Sequence, residues 1–318
     1  LQRLLATFIP ILFLFLLTSF ALQAEEKAGF YHGSIDVQNK ERTFTYYIPS
    51  SYNHDDTVPL LLAFHGRGST GKNQINLTKF DKLAEKEGFI AVFPDSSVVH
   101  EPNLKKGHER QWNDGRVDTP AYRANVDDIQ FISKLIDHFT EHYNVDRSRV
   151  YAVGMSNGAF FVNRLAIEMP ERIAGIGAVA GTIAVPITTA KPSEPVSTVF
   201  IMGTDDPIVP YHGVKNYSLS AEEAVHFWRQ ANGIKTKPTV KHLPKKAPND
   251  KTEVSRFTYT HPSNHTEVSF YKVKGGGHTW PGGPQYAHVN KIGYTSQHFN
   301  ATETLWHTLK KNRKDSKA

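Results

Sequence analysis

The pentapeptide Gly154-Met155-Ser156-Asn157-Gly158 is where residue types and spacing most directly specify chemistry in this sequence. It has the form Gly-x-Ser-x-Gly, with a β-forming run before it (residues 149–153) and a helical pattern after it (residues 157–169). A sharp strand-to-helix turn would strain the Ser156 backbone and lift its hydroxyl above a sheet edge. Side chains at Gly154 and Gly158 would collide with neighbouring backbone in such a turn. The following helix contributes free N–H groups and its positive dipole end. A serine hydroxyl is a poor nucleophile until a base takes its proton, so an imidazole is needed. Of sixteen histidines, only His108 and His278 adjoin glycine-rich loop sequence, and only His278 follows both the serine and a late strand. Its run, Gly275-Gly276-Gly277-His278-Thr279-Trp280, can fold an imidazole back over the serine.

A carboxylate is then required to orient that imidazole and stabilise its protonated form. It belongs on the loop after the strand between serine and histidine. Residues 198–202 read as that strand, and Gly203-Thr204-Asp205-Asp206-Pro207 as that loop, so position alone leaves Asp205 and Asp206 both open. Two backbone donors must hold the oxyanion. The N–H of Asn157 follows the nucleophile, and the N–H of Arg67 lies in the loop His65-Gly66-Arg67-Gly68 after an early strand. His65 precedes the serine and is read as a brace for that loop rather than as a base. Trp280 and Trp112 are expected to wall the acyl or sugar site, because flat aromatic faces suit both.

The elements that must position these groups alternate along the chain. Apolar runs at residues 59–64, 89–93, 173–180 and 198–202 suit strands buried on both faces. Helical spacing marks residues 77–84, 129–139 and 157–169, and Ser220 with Glu223 forms a capping box for another helix. Residues 254–260 and 267–273 read as strands, and residues 301–310 as a last helix. Asp127 and Asp128 stand in the first turn of the helix over 129–139, where they serve the dipole. Residues 96–124 show no periodicity, and loops this long inside a compact domain are functional or mobile. Repeated βα units predict a mostly parallel central sheet with helices on both faces, an α/β fold in one domain.

The four motifs together resemble the polyhydroxybutyrate depolymerase and feruloyl esterase group, in the carbohydrate-esterase branch of the α/β-hydrolases. The resemblance rests on His65-Gly66, Gly154-Met155-Ser156-Asn157-Gly158-Ala159, Gly203-Thr204-Asp205-Asp206-Pro207-Ile208-Val209-Pro210-Tyr211 and Gly276-Gly277-His278-Thr279-Trp280-Pro281-Gly282, and covers residues 33–310. It implies an α/β-hydrolase fold and a serine esterase working through Ser156, Asp206 and His278. The family's acid stands directly before Pro-x-Val-Pro-Tyr, which selects Asp206 over Asp205. A Trp-x-Asp segment of the family is matched by Trp112-Asn113-Asp114. Two departures stand out: Arg67 replaces the cysteine that many members carry after His-Gly, and no polymer-binding module is expected after the catalytic region. Soluble short-chain esters, or hydroxycinnamoyl and acetyl groups on plant polysaccharide, therefore fit better than crystalline polymer granules.

Composition bounds the remainder. The chain has 318 residues, no cysteine and a net charge of +6. Thiolate metal sites and cysteine-dependent catalysis are excluded, there is no His-Glu-x-x-His string, and no metal or other cofactor is expected. Arg3, an apolar run over residues 8–20 and a small-residue site ending at Ala24 lay out a secretory signal peptide. Its removal takes one positive charge and leaves +5. The expected organisation is a signal peptide (1–24), a catalytic domain (25–310) and a basic flexible tail (311–318), in a secreted or periplasmic protein with no stable membrane anchor after cleavage. The scattered lysines and arginines give no basic aromatic stripe, so nucleic acid is not an expected partner. The expected partner is an ester substrate, a polyester oligomer or plant polysaccharide among the polymeric ones. Two other readings stay open: a secreted serine peptidase of the prolyl-oligopeptidase type, and an inactive homologue that binds polysaccharide. Asn76, Asn216, Asn264 and Asn300 begin Asn-x-Ser/Thr strings that a eukaryotic host could glycosylate.

Overall fold

The computed structural model describes residues 27–102 and 104–314. The signal peptide expected at residues 1–24 lies outside them. Ten strands form one sheet: β1 (Gly29–Val37), β2 (Lys40–Ile48), β3 (Val58–Phe64), β4 (Ile90–Pro94), β5 (Val145–Met155), β6 (Gly175–Val179), β7 (Ser197–Gly203), β8 (Thr239–His242), β9 (Glu253–Thr260) and β10 (Glu267–Lys274). The helices are α1 (Gly71–Thr78), α2 (Phe80–Glu87), α3 (Pro120–Arg123), α4 (Asp128–His142), α5 (Asn157–Glu168), α6 (Ala221–Ala231), α7 (Val289–Ile292) and α8 (Ala301–Leu309).

The strand order is β1-β2-β4-β3-β5-β6-β7-β10-β9-β8. The six central strands, β4, β3, β5, β6, β7 and β10, run parallel, and an antiparallel pair closes each side. The parallel strands β3, β4, β6 and β7 are buried along their whole lengths, as their unbroken apolar runs require. Two separate cores follow from the two faces. One holds Phe131, Leu135, Phe160, Leu165, Val225 and Trp228 from α4, α5 and α6; the other holds Phe80, Leu83, Leu305 and Trp306 from α2 and α8. The expected α/β-hydrolase architecture, a mostly parallel sheet with helices on both faces, is the one observed.

Details differ where local chemistry overrides periodicity. The helical pattern over 77–84 is two helices, because Lys79 adopts a left-handed conformation (φ 57°) that ends α1 and starts α2. Strand β1 alternates half-buried and exposed residues at a sheet edge, so it carries no continuous apolar run to recognise. The Ser220–Glu223 capping box forms at the start of α6. Asp127 caps α4 through Gln130 N–H (2.9 Å), and Asp128 is fully buried against Arg42 at 2.6 Å, so both carboxylates are structural. Residues 312–314, expected to belong to a free tail, are docked instead. Tyr151 Oη donates to the Asn312 carbonyl (2.7 Å), Ser197 Oγ to Asn312 Oδ1 (2.6 Å), and Lys314 Nζ to the Pro195 carbonyl (2.8 Å).

Candidate active site

In a parallel sheet the loops after the strands gather at one edge, and ligands of open α/β sheets bind there. The loops after β3, β5, β7 and β10 carry Arg67, Ser156, Asp206 and His278 respectively. Four segments distant in the chain thus meet at one end of neighbouring strands.

Ser156 sits in the turn between β5 and α5 with φ 56° and ψ −122°, a strained conformation for a residue with a side chain. Strain of this kind costs about 1–3 kcal/mol and persists only where the surroundings enforce it. Here Ser156 N–H donates to the Val179 carbonyl (2.9 Å), while its own carbonyl accepts from Ala159 and Phe160. A Cβ at Gly158 would lie 2.5 Å from the Phe64 carbonyl oxygen and 2.7 Å from that of His65, so β3 and α5 can approach only through a glycine. A Cβ at Gly154 would meet the backbone of Gly158 in the same way. The Ser156 side chain makes no bond to the helix it precedes, which leaves the hydroxyl available.

His278 and Asp206 are brought together as a pair. His278 Nδ1 lies 2.8 Å from Asp206 Oδ2, with both side chains shielded from water. The second oxygen, Asp206 Oδ1, accepts from Ile208 N–H and Val209 N–H, each at 2.8 Å. These three bonds fix the carboxylate. Asp205, the other candidate by position, is exposed, and its carboxylate accepts from Thr204 Oγ1 (2.6 Å). The His278 main chain is held too, its N–H donating to the Ile292 carbonyl (2.6 Å) and its carbonyl accepting from Tyr286 Oη (2.6 Å). Burial and the nearby Asp206 charge push the Tyr286 phenol up to about 12, which keeps it a neutral donor. Sequence reasoning misses Tyr286, because the segment after Pro281 has no periodicity to assign its side chains a direction.

The two candidate oxyanion donors stand on segments that meet at the serine. Asn157 is the first residue of α5, so its N–H has no partner within the helix. Gly66 packs behind Ser156, and a Cβ built there would stand 3.3 Å from Ser156 Cβ. Arg67 follows it in a turn closed by Ser69 N–H to the Gly66 carbonyl (3.2 Å). His65 braces this loop as expected. Its Nδ1 lies 2.7 Å from the Gly66 carbonyl, and its Nε2 accepts from Ser96 N–H (3.1 Å). Both bonds are satisfied by the neutral ring, and burial pushes the imidazole down to about 4. The Asn157 side chain ties the helix start to a second loop. Its Oδ1 accepts from Trp112 N–H (2.8 Å), and its Nδ2 donates to Asp114 Oδ2 (2.6 Å). Asp114 also holds Arg116 in a forked pair, Nε at 3.1 and 3.0 Å and Nη2 at 2.5 Å. The Trp112-Asn113-Asp114 segment therefore anchors the helix start that follows the serine.

The two tryptophans expected to wall the cleft do not. Trp112 is fully buried, stacks on Phe161 at 5.0 Å and donates Nε1–H to the His65 carbonyl (3.0 Å). Trp280 is 1% exposed, meets Phe80 edge-on and donates to Thr302 Oγ1 (3.0 Å). They lie in the two different cores, on opposite faces of the sheet. Among the described residues, no group of three or more His, Cys, Asp or Glu could hold a metal ion.

Residues 51–242 match the Phospholipase/Carboxylesterase family. The chain belongs to that family. It is an α/β-hydrolase and a carboxylic ester hydrolase. It is 26% identical over 260 residues to the putative esterase NocK of Nocardia uniformis subsp. tsuyamanensis, covering 77% of this chain and 72% of that protein. It is also 26% identical over 242 residues to feruloyl esterase B of Piromyces equi, covering 72% of this chain and 41% of that one. With a bifunctional acetylxylan esterase/xylanase of Neocallimastix patriciarum it shares 26% identity over 195 residues, 61% of this chain and 26% of the fungal protein. The chain thus spans less than half the length of these two relatives. Among solved structures, the acetyl xylan esterase from Aspergillus awamori superposes with a TM-score of 0.54 at 14% identity, covering 82% of this chain and 97% of that one. A ferulic acid esterase from Anaeromyces mucronatus gives a TM-score of 0.51 at 17% identity, covering 81% and 87%. At these identities the two structures speak to the fold alone.

Proposed function

We propose that this carboxylic ester hydrolase is a secreted serine esterase, with Ser156 as nucleophile, His278 as general base and acid, Asp206 as its orienting carboxylate, and the Asn157 and Arg67 N–H groups as oxyanion donors. The observation that carries the reading is the buried Asp206–His278 pair at the same sheet edge from which the strained Ser156 rises. With Nδ1–H engaged by Asp206, the imidazole presents Nε2 as its free base. Ser156 Oγ attacks the acyl carbonyl carbon and its proton passes to His278 Nε2. The resulting oxyanion is held by two backbone N–H groups, each such donor being worth about 3 kcal/mol in the transition state. Collapse breaks the bond to the alcohol oxygen, which leaves with the proton from His278. Water then attacks the acyl-enzyme with His278 again as base, releasing the acid and restoring Ser156.

Feruloyl and acetyl esters on plant polysaccharide are the substrates we favour, with soluble 3-hydroxybutyrate oligomers as the other member of the class. The names of the feruloyl and acetylxylan esterase relatives support the first. The charged start and apolar run before Ala24 support secretion. The test is hydrolysis of p-nitrophenyl acetate, p-nitrophenyl butyrate, methyl ferulate, acetylated xylan and a 3-hydroxybutyrate oligomer by the wild type and by Ser156→Ala. Turnover is expected on at least one member and is expected to vanish in the variant. Turnover that survived Ser156→Ala would remove the serine from the mechanism. Hydrolysis of aminoacyl amides without ester turnover would point to a peptidase, and no turnover at all to a binding protein.

A further inference from the structure

We propose that the Arg67 side chain selects ester substrates that carry a carboxylate close to the scissile bond. This rests on the serine esterase reading and adds a substrate class to it.

The turn bearing Arg67 is held by backbone bonds and close glycine contacts. Gly66 is packed behind the nucleophile, close enough that an added Cβ would stand 3.8 Å from Ser156 Oγ. Gly68 N–H donates to the Arg110 carbonyl (2.7 Å), and a side-chain carbon at Gly68 would run into the Gly107 carbonyl. The His65 ring braces the turn from beneath. A guanidinium on so rigid a turn, one residue from the glycine that touches Ser156, is positioned with little freedom for its root to move.

That guanidinium makes no hydrogen bond or ion pair among the described residues, although Arg67 is half-buried. Arg116, Arg123, Arg149, Arg164 and Arg172, by contrast, each hold a carboxylate. The charge around Arg67 does not neutralise it either. Lys105, Lys106, His108 and Arg110 belong to the segment packed on the turn. Of the acids in that region, Glu101 is committed to Arg123 at 2.6 Å, and Glu109 is held on its own N–H and that of Gly107. Burial, with the charges of Arg67 and Lys105, holds His108 below the usual histidine range. A planar, permanently charged fork left unpaired on the turn that follows the glycine packed against Ser156 is matched by a substrate carboxylate, which it can bind bidentately.

The experiment compares kcat/KM for two matched pairs of esters. Mono-4-nitrophenyl glutarate against 4-nitrophenyl valerate places the carboxylate on the acyl side; 3-acetoxybutyrate against 3-acetoxybutyramide places it on the alcohol side. The readout is the charged-to-neutral ratio within each pair, for the wild type, Arg67→Gln and Arg67→Lys, at low and high NaCl. In one of the two pairs the ratio is expected to fall about tenfold in Arg67→Gln. It should fall less in Arg67→Lys, and should drop with salt in the wild type more steeply than in Arg67→Gln. Ratios unchanged by Arg67→Gln in both pairs, with the neutral esters turned over, would overturn the selection while leaving the esterase intact. Failure of the wild type on all four esters would remove both.

Discussion

Asp205 and Asp206 are adjacent carboxylates with opposite surroundings, and backbone geometry alone separates them. Asp206 receives two main-chain N–H groups on one oxygen and His278 on the other, whereas Asp205 faces solvent beside Thr204. The replacement Asp206→Asn keeps the shape but offers the wrong partner to Nδ1–H, and the imidazole loses its orientation and its counter-charge. By analogy with serine hydrolases in general, kcat should drop about 10⁴-fold. Asp205→Asn should change it less than about twofold, as is usual for exposed side chains outside a site. Steady-state kinetics on p-nitrophenyl butyrate distinguishes the two, and comparable losses in both would remove the assignment. At this scale what was legible was local pattern: a serine between two glycines at a strand-to-helix turn, and a histidine after three glycines, which the structure brings to the same sheet edge. It misled at Trp112 and Trp280. A tryptophan in an aperiodic stretch carries no sign of which way it faces, and a flat apolar ring suits a core as well as a cleft. Both rings also had to satisfy an indole N–H, and both found an internal acceptor, the His65 carbonyl and Thr302 Oγ1.

The strands and helices hold the candidate site through close backbone contacts that only glycine permits. Gly158 brings α5 against the end of β3, and Gly203 brings the Asp206 loop against the backbone of Gly276 and Gly277, the two residues before His278. The relative placement of Ser156, Asp206 and His278 is therefore set by two backbone crossing points together with the Asp206–His278 bond. Gly158→Ala inserts a carbon 2.5 Å from the Phe64 carbonyl oxygen, where the nearest atoms are main chain and cannot rotate away. Overpacking of this kind costs about 1–3 kcal/mol. The helix start is also displaced from β3, so activity should fall more than stability accounts for. Urea denaturation paired with kcat measured under folding conditions checks this. A variant as stable and as active as the wild type would show that the contact relaxes freely. The buried parallel strands were readable from the sequence because burial on both faces writes continuous apolar runs. The edge strand β1 and the break at Lys79 were not, because one depends on alternation at a solvent-facing edge and the other on a single left-handed residue.

Across the whole molecule, the two cores on opposite faces of the sheet converge on the loops beyond the strand ends, and His65 stands at that junction. Its ring is fully buried, lies 5.3 Å from the Trp112 ring, and ties β3 to the chain after β4 through Ser96 N–H. Burial holds its imidazole at about 4 against an ordinary value of 6.5. The folded protein therefore binds fewer protons there than the unfolded chain does between those two values. Its contribution to stability is complete above pH 6.5 and is lost as pH falls toward 4. From that difference the loss reaches about 2 kcal/mol at about pH 5. Other groups titrate in the same range. His108 and His138, also held low by burial, add losses of the same sign, while Asp128, pushed up by burial, works in the opposite direction. Glu87, held at about 2 by Lys310 and Trp306, matters only at lower pH. Comparing the wild type with His65→Gln cancels these shared terms. The variant should be less stable at about pH 7.5, since it loses the ring packing. The gap between the two, read from urea unfolding, should then narrow by about 2 kcal/mol on going to about pH 5, because only the wild type must force a neutral imidazole at that position. A gap that stayed constant across the range would mean that His65 is protonated as readily in the folded protein as in the unfolded chain. In that case the Arg67 turn would be open to water, not braced by a buried neutral ring.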